Sequence, residues 1–239
     1  MTFNHTTMKK FLFTTILALI ISLSGRANEV ATMSDATTAN TEDFDSHFGT
    51  MWDISVAKKL GPVRLSLQQS VFTIDTYMER TMTIAGIDTE IIPTYLKVTA
   101  LGFYLYHRGD AGNYRHLLRY HAGLNGAVPF QPLNLTWGAR YESTYVVGNS
   151  TPTNKLRTRV RLVGNIPNSK FAPFLGGEHF LQLNGTSAGH TERIWIDLGV
   201  TYKIDKNNTV EFLIREENRQ LATPQQWNTN IGFAYKIAL

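Results

Sequence analysis

The sequence contains no cysteine. Disulfides therefore cannot staple the fold, and the lipid-modified class of exported proteins, which needs a cysteine at its cleavage point, is excluded. Long hydrophobic runs are also missing. The apolar stretch at residues 11–23 covers about 13 residues, short of the roughly 20 that a membrane helix requires. If this chain enters a membrane, it enters as strands. Net charge is low as well. The formal value is +4, but Lys9, Lys10 and Arg26 lie in the first 27 residues, where there is no acid, so about +1 remains without them. Such a balance gives no ground for a nucleic-acid partner.

What the chain does have begins with an export signal. Lys9 and Lys10 precede the apolar run, and Gly25 and Ala27 supply small residues at the −3 and −1 positions of a cleavage site, which predicts a signal peptide over residues 1–27. Residues 28–46 carry Thr, Ala, Asp and Glu with few large apolar side chains, and are expected to form a disordered leader. One folded domain is expected over residues 47–239.

The folded part is organised around residues 156–162, Leu-Arg-Thr-Arg-Val-Arg-Leu. Successive strand side chains point to opposite faces, so Arg157, Arg159 and Arg161 share one face while Leu156, Val160 and Leu162 share the other. A helix would scatter them. Ten segments of this alternating kind follow one another, at residues 51–57, 63–72, 95–107, 114–124, 133–146, 155–165, 173–183, 192–204, 209–216 and 227–239. In the eighth, Ile194, Ile196, Leu198 and Val200 oppose Arg193, Trp195, Asp197 and Gly199. One apolar face and one polar face on every strand predict an all-β fold, an antiparallel up-and-down transmembrane barrel of about ten strands, with twelve as the alternative.

The connectors conflict with a count of ten. The short polar turn at residues 205–208 belongs on the periplasmic side, and residues 148–154 and 184–190 then become surface loops. Counting back by alternation puts the tight connector 58–62 outside and the long interval 73–94 inside. Both are the wrong way round. A further strand within residues 77–92, turning at Gly86, repairs the parity but leaves an odd number.

Charge collects on the inward face. Arg140, Glu142, Arg157, Arg159, Arg161, Glu178, Arg193 and Arg215 are expected to form a cross-barrel network, because buried charges persist only when paired. The functional alternative for the same residues is a pore or pocket for an anion such as phosphate or carboxylate, held by guanidinium forks. Trp52, Trp137, Trp227, Tyr104, Tyr106, Tyr145 and Tyr202 are expected on the outer face as interfacial girdles. For a hydrolase, His116, His121 and His179 with Ser66, Ser70 and Ser143 are the available parts, but no local context selects a trio. His107, His116 and His121 lack acids at metal-ligand spacing, and Gly176-Gly177 is followed by no helix that would make a phosphate loop. No catalytic residue, metal site or cofactor is predicted.

The final segment, with Trp227, Thr229, Ile231, Phe233, Tyr235, Ile237 and Leu239 on one face, is similar to the recognition strand that ends bacterial outer-membrane proteins, although it closes on Leu239 rather than Phe or Tyr. That likeness implies the outer membrane as location, its lipids as surroundings and the barrel-assembly machinery as a partner of residues 227–239. A more specific likeness rests on the order of motifs. A Trp52-led strand is followed by a strand with Leu135, Arg140 and Glu142, then Arg-x-Arg-x-Arg ending in Ile166-Pro167. Pro173 with Glu178-His179-Phe180 comes next, then Arg193 leading a strand with Gly199 and Tyr202. This order resembles the domain-of-unknown-function 2490 family of Gram-negative bacteria over residues 47–239, most specifically over 157–180. The resemblance implies an outer-membrane barrel with no established activity, substrate or catalytic residue. The chain departs from the pattern at residues 73–94.

Overall fold

The computed structural model describes residues 45–109, 112–149, 151–222 and 225–239. The signal peptide expected at 1–27 and residues 28–44 of the expected leader lie outside them. Asp45 and Ser46, placed in the leader by composition, already belong to the first strand, where they pair with Gln226 and Trp227.

Among the described residues there are eleven strands: β1 Asp45–Leu60, β2 Val63–Ile74, β3 Tyr77–Ile92, β4 Leu96–Arg108, β5 Tyr114–Phe130, β6 Leu133–Val146, β7 Thr153–Gly164, β8 Phe171–Gln182, β9 Thr191–Lys203, β10 Asn208–Arg219 and β11 Gln226–Ala238. They close into a barrel in chain order. Each is antiparallel to the next, and the ring is completed by β1 and β11, which pair in parallel from Asp45↔Gln226 to Ala57↔Ala238. The expected all-β, up-and-down barrel is therefore present, with a count between the two that were weighed. Direction alternates along an up-and-down chain, so the first and last of an odd set must run the same way.

The eleventh strand is β3, and it does not turn at Gly86. It runs continuously, pairing with β2 from Val63↔Thr89 to Ile74↔Tyr77 and with β4 from Arg80↔His107 to Ile92↔Leu96. Its alternation is hard to read because its inward face carries Met82 and Ile84, while Thr83 and Ala85 are exposed on the outer face. The usual sense is reversed. At its start, Phe72 pairs with Arg80 and the next residue, Thr73, pairs with Met78, so Glu79 is the extra residue of a β-bulge. A bulge re-aims side chains. Here it lets Glu79 and Arg80, adjacent in sequence, both point inward.

With β3 counted, the connectors fall on two rims, those of one shorter on average than those of the other, with the two-residue link at 75–76 and the six-residue link at 165–170 as exceptions. One rim carries Gly61-Pro62 and the links at 93–95, 131–132, 165–170 and 204–207; the other carries those at 75–76, 109–113, 147–152, 183–190 and 220–225. The link at 61–62 thus joins the turn at 204–207 on the same rim, and the parity conflict disappears. Gly61 sits at φ 61°, a left-handed conformation that costs glycine nothing. In the 204–207 turn, Asp205 accepts hydrogen bonds from the Asn208 side-chain amide and the backbone N–H groups of Asn207 and Asn208, which hold its carboxyl below the usual carboxylate range. This turn chemistry ends β9 sharply and starts β10.

Gly199 marks a close approach inside the ring. A Cβ there would collide with the backbone oxygen of Phe212, the Phe174 ring and Leu213. Gly199→Val is expected to destabilise the barrel by about 1–3 kcal/mol through overpacking, read as a lower urea midpoint for the folded form.

Candidate functional site in the barrel lumen

Closing an alternating sheet places one set of side chains inside and the other outside. The inside has two unlike walls. On β1 to β4, Met51, Phe72, Met82, Phe103 and Leu105 form a packed apolar cluster, with Leu105 only 2% exposed. Most of the charges collect on β5 to β10, with Glu79 and Arg80 of β3 and Lys236 of β11 joining them.

At the centre of that charged wall stands Glu142, 1% exposed. It accepts hydrogen bonds from His121 Nε2 at 2.9 Å and Arg157 Nη1 at 3.0 Å, with Arg119 Nε 3.4 Å away. Arg157 also donates from Nε to Glu178 at 2.9 Å, so one guanidinium bridges two carboxylates. Two separate forks lie further along. Arg161 donates through Nη1 and Nη2 to Glu211 at 3.4 and 2.9 Å, and Lys236 joins the same carboxylate at 2.7 Å. Arg215 binds Asp197 through Nε at 2.6 Å and Nη2 at 2.9 Å. Towards the rim of longer loops, Arg193 reaches Glu217 at 2.9 Å and Arg219 links Glu217 to Glu79, the latter at 2.7 Å. Opposite charges in a fixed fork are the strongest kind of hydrogen-bonded pair.

Inward aromatic rings support these cations from one side. Arg161 lies 3.4 Å over the centre of Phe174, Arg157 4.4 Å over Phe180 and Arg215 4.0 Å over Trp195. A guanidinium stacked on a ring keeps its in-plane donors for carboxylates. Arg157 and Arg161, the two outer rungs of the β7 ladder, are therefore held by rings on their faces and acids at their edges.

The eight residues expected in the network are all inside, but they do not form one cluster. Glu142, Arg157 and Glu178 are joined directly. Arg161 and Arg215 each belong to their own fork, and Arg193 to the rim group. Arg140 donates to the Asn125 amide oxygen at 3.0 Å, and Arg159 makes no hydrogen bond or ion pair among the described residues. Arg119 and Glu211 join from the same inward face that the alternation defines, and His121, Glu79, Glu217 and Arg219 join the network without having been expected in that site. Continuing the two-residue period of β10 past Arg215 finds Glu217 and Arg219. Nothing in the period finds Glu79, because the bulge shifts it.

The hydrolase parts are not assembled. His116 meets the Tyr104 hydroxyl on the outer face, His121 meets Glu142, and His179 meets the Thr191 hydroxyl. Among the described residues, none of Ser66, Ser70 and Ser143 bonds to these histidines.

The model of the family described as Protein of unknown function (DUF2490) matches residues 64–228. The chain belongs to this family. In this DUF2490 protein the matched span covers β2 through β10 almost entire, with the arginine ladder of β7 near its middle. It stops three residues into β11 and leaves out β1, the two strands of the parallel closure. No curated protein matches the chain.

Glu142 is the acid with most to lose. Glu142→Gln leaves Arg157 and Arg119 without their shared counter-charge in a site closed to water, and is expected to cost about 3–5 kcal/mol. Urea unfolding followed by tryptophan fluorescence measures it, and Glu216→Gln serves as control.

Proposed function

We propose that this DUF2490 protein is an exported β-barrel of the bacterial outer membrane, structural or acting as a small pore or binding barrel, with lipid around it and a cross-linked charged lumen. The observation that carries this reading is the outer wall. Ile54, Leu175 and Leu198 are 53%, 54% and 60% exposed, and Leu67, Ile196, Phe212, Ile214 and Phe233 are exposed with them. They form a band around the ring. A protein in water rarely shows a contiguous apolar surface of more than a few hundred Å². Hydrocarbon is the solvent that such a band matches.

The edges of the band support the same reading. Trp227, Tyr77, Tyr114 and Tyr145 are exposed near one rim, and Phe130 and Phe171 near the other, where Phe171 packs on Tyr202 at 4.7 Å. Amphipathic rings prefer the two interfaces of a bilayer. Of the aromatics expected in girdles, Trp52 sits instead in the middle of β1, 5.8 Å from Phe233. A barrel carrying an apolar ligand inside would turn its apolar band inward, and this band faces outward. The lumen is too heavily bridged between facing strands to suggest a wide channel. Insertion would depend on barrel-assembly machinery engaging β11, whose outer face alternates Trp227, Ile231, Phe233 and Tyr235. The short connectors would face the periplasm and the longer ones the exterior.

Fractionation of cells expressing the full chain tests the location. Recovery in the outer membrane is expected, with a band that migrates faster unboiled than boiled; recovery as a soluble periplasmic protein would sink the proposal. The absence of cysteine makes sidedness easy to measure. Ser187→Cys should react with an impermeant maleimide on intact cells, and Lys206→Cys only after the outer membrane is permeabilised.

A further inference from the structure

We propose that Arg159, with Arg140 beside it, forms a binding site for a single small oxyanion, a carboxylate or a phosphate, inside the barrel. The inference rests on the reading of the lumen as a charged interior and names what one part of it binds.

Arg159 is the middle rung of the β7 ladder, and the rungs on either side have their acids. Arg157 takes Glu142 and Glu178; Arg161 takes Glu211. The carboxylate that faces Arg159 in register is Glu178; it attracts Arg159 through space, but its hydrogen bonds, both to Oε1, come from Arg157 Nε and Nη2 at 2.9 and 2.8 Å. Arg159 itself is half-buried and has no hydrogen-bonded partner among the described residues.

The second cation is brought to the same place by a neutral side chain. On β6 the register partner of Arg159 is Gly138. The Asn125 amide oxygen fills the space that a Gly138 side chain would take, 2.7 Å from where its Cβ would stand. Arg140 donates to that same oxygen at 3.0 Å. Its guanidinium is thereby held beside Gly138, where it and Arg159 repel each other.

Both guanidiniums lie in the field of the Glu178 carboxylate, and Arg159 also in that of Asp197, yet neither donates a hydrogen bond to an acid, so their donors are open to an added anion. Their planar forks fit the oxygens of a carboxylate or phosphate.

The test uses the protein folded in detergent, where membrane location does not enter, so its failure is separable from a failed fractionation. Thermal unfolding and calorimetric titration are run with sodium phosphate, sodium acetate and sodium chloride at equal ionic strength. The unmodified protein is expected to show a saturable rise in unfolding temperature with phosphate or acetate beyond that in chloride; which of the two acts identifies the ligand class. Arg159→Gln should weaken that binding by about tenfold or more, as loss of a charged hydrogen-bonding partner does. It should still give the faster unboiled band and unfold in chloride no lower than the parent, since a repulsion is removed. Arg159→Lys should retain part of the response. An equal response of the parent to all three salts, an undiminished response in Arg159→Gln, or failure of Arg159→Gln to fold in chloride would each overturn the proposal, the last by making Arg159 part of the scaffold.

Discussion

The two-residue alternation of a strand, imposed on a sheet that closes on itself, governs everything else in this molecule. Closure divides the side chains into one set that sees only other side chains and one set that sees the surroundings. Inside, a charge has no bulk water to turn to, so each carboxylate of the network is met by at least one cation. Glu142 gathers three basic partners and Glu211 two. Outside, the same alternation leaves a continuous apolar band.

The interior is not uniform, and its asymmetry has a structural logic. The apolar cluster of β1 to β4 fills its share of the lumen by packing, whereas the charged wall fills its share by bridging. Aromatic residues mediate between the two styles. Phe174, Phe180 and Trp195 are apolar fillers that also seat arginines. Phe72 does the same on the opposite wall, with Arg80 4.2 Å over its ring. The bulge at Glu79 then connects the walls, since its carboxylate reaches Arg219 on β10. A network tied across the ring in this way resists ovalisation of the barrel more than strand ladders alone would.

The sequence made ten strands legible because each sets an apolar outer face against a polar inner one. It hid β3 because the inner face there is apolar as well, and because Thr83 and Ala85 make the outer face unremarkable in hydropathy. The arginine ladder announced a polar interior through three residues at strict spacing. Which acid each arginine would choose was not legible, since Arg161↔Glu211 and Arg219↔Glu79 join strands far apart in the chain. Family membership was legible from motif order, in the stretch least affected by these ambiguities. The conflict over which turn lay on which rim was itself a correct signal. It pointed at an uncounted strand in the right interval, and only the turn assigned to Gly86 was wrong.

The parallel pairing of β1 with β11 has a consequence in time. Every other neighbouring pair is a hairpin, joined by a short link and able to zip from its turn. The closing pair joins residues as remote as Asp45 and Gln226 and has no turn to start from. The entropy of closing so long a loop is spread over the whole chain, and non-local pairing is slow to form. The hairpins therefore define an open, curling sheet first, and the last event is the meeting of its two edges in register. Until then both edges remain exposed to pairing with any other strand nearby. Assembly is thus a race between self-closure and capture, decided at a single pair of strands.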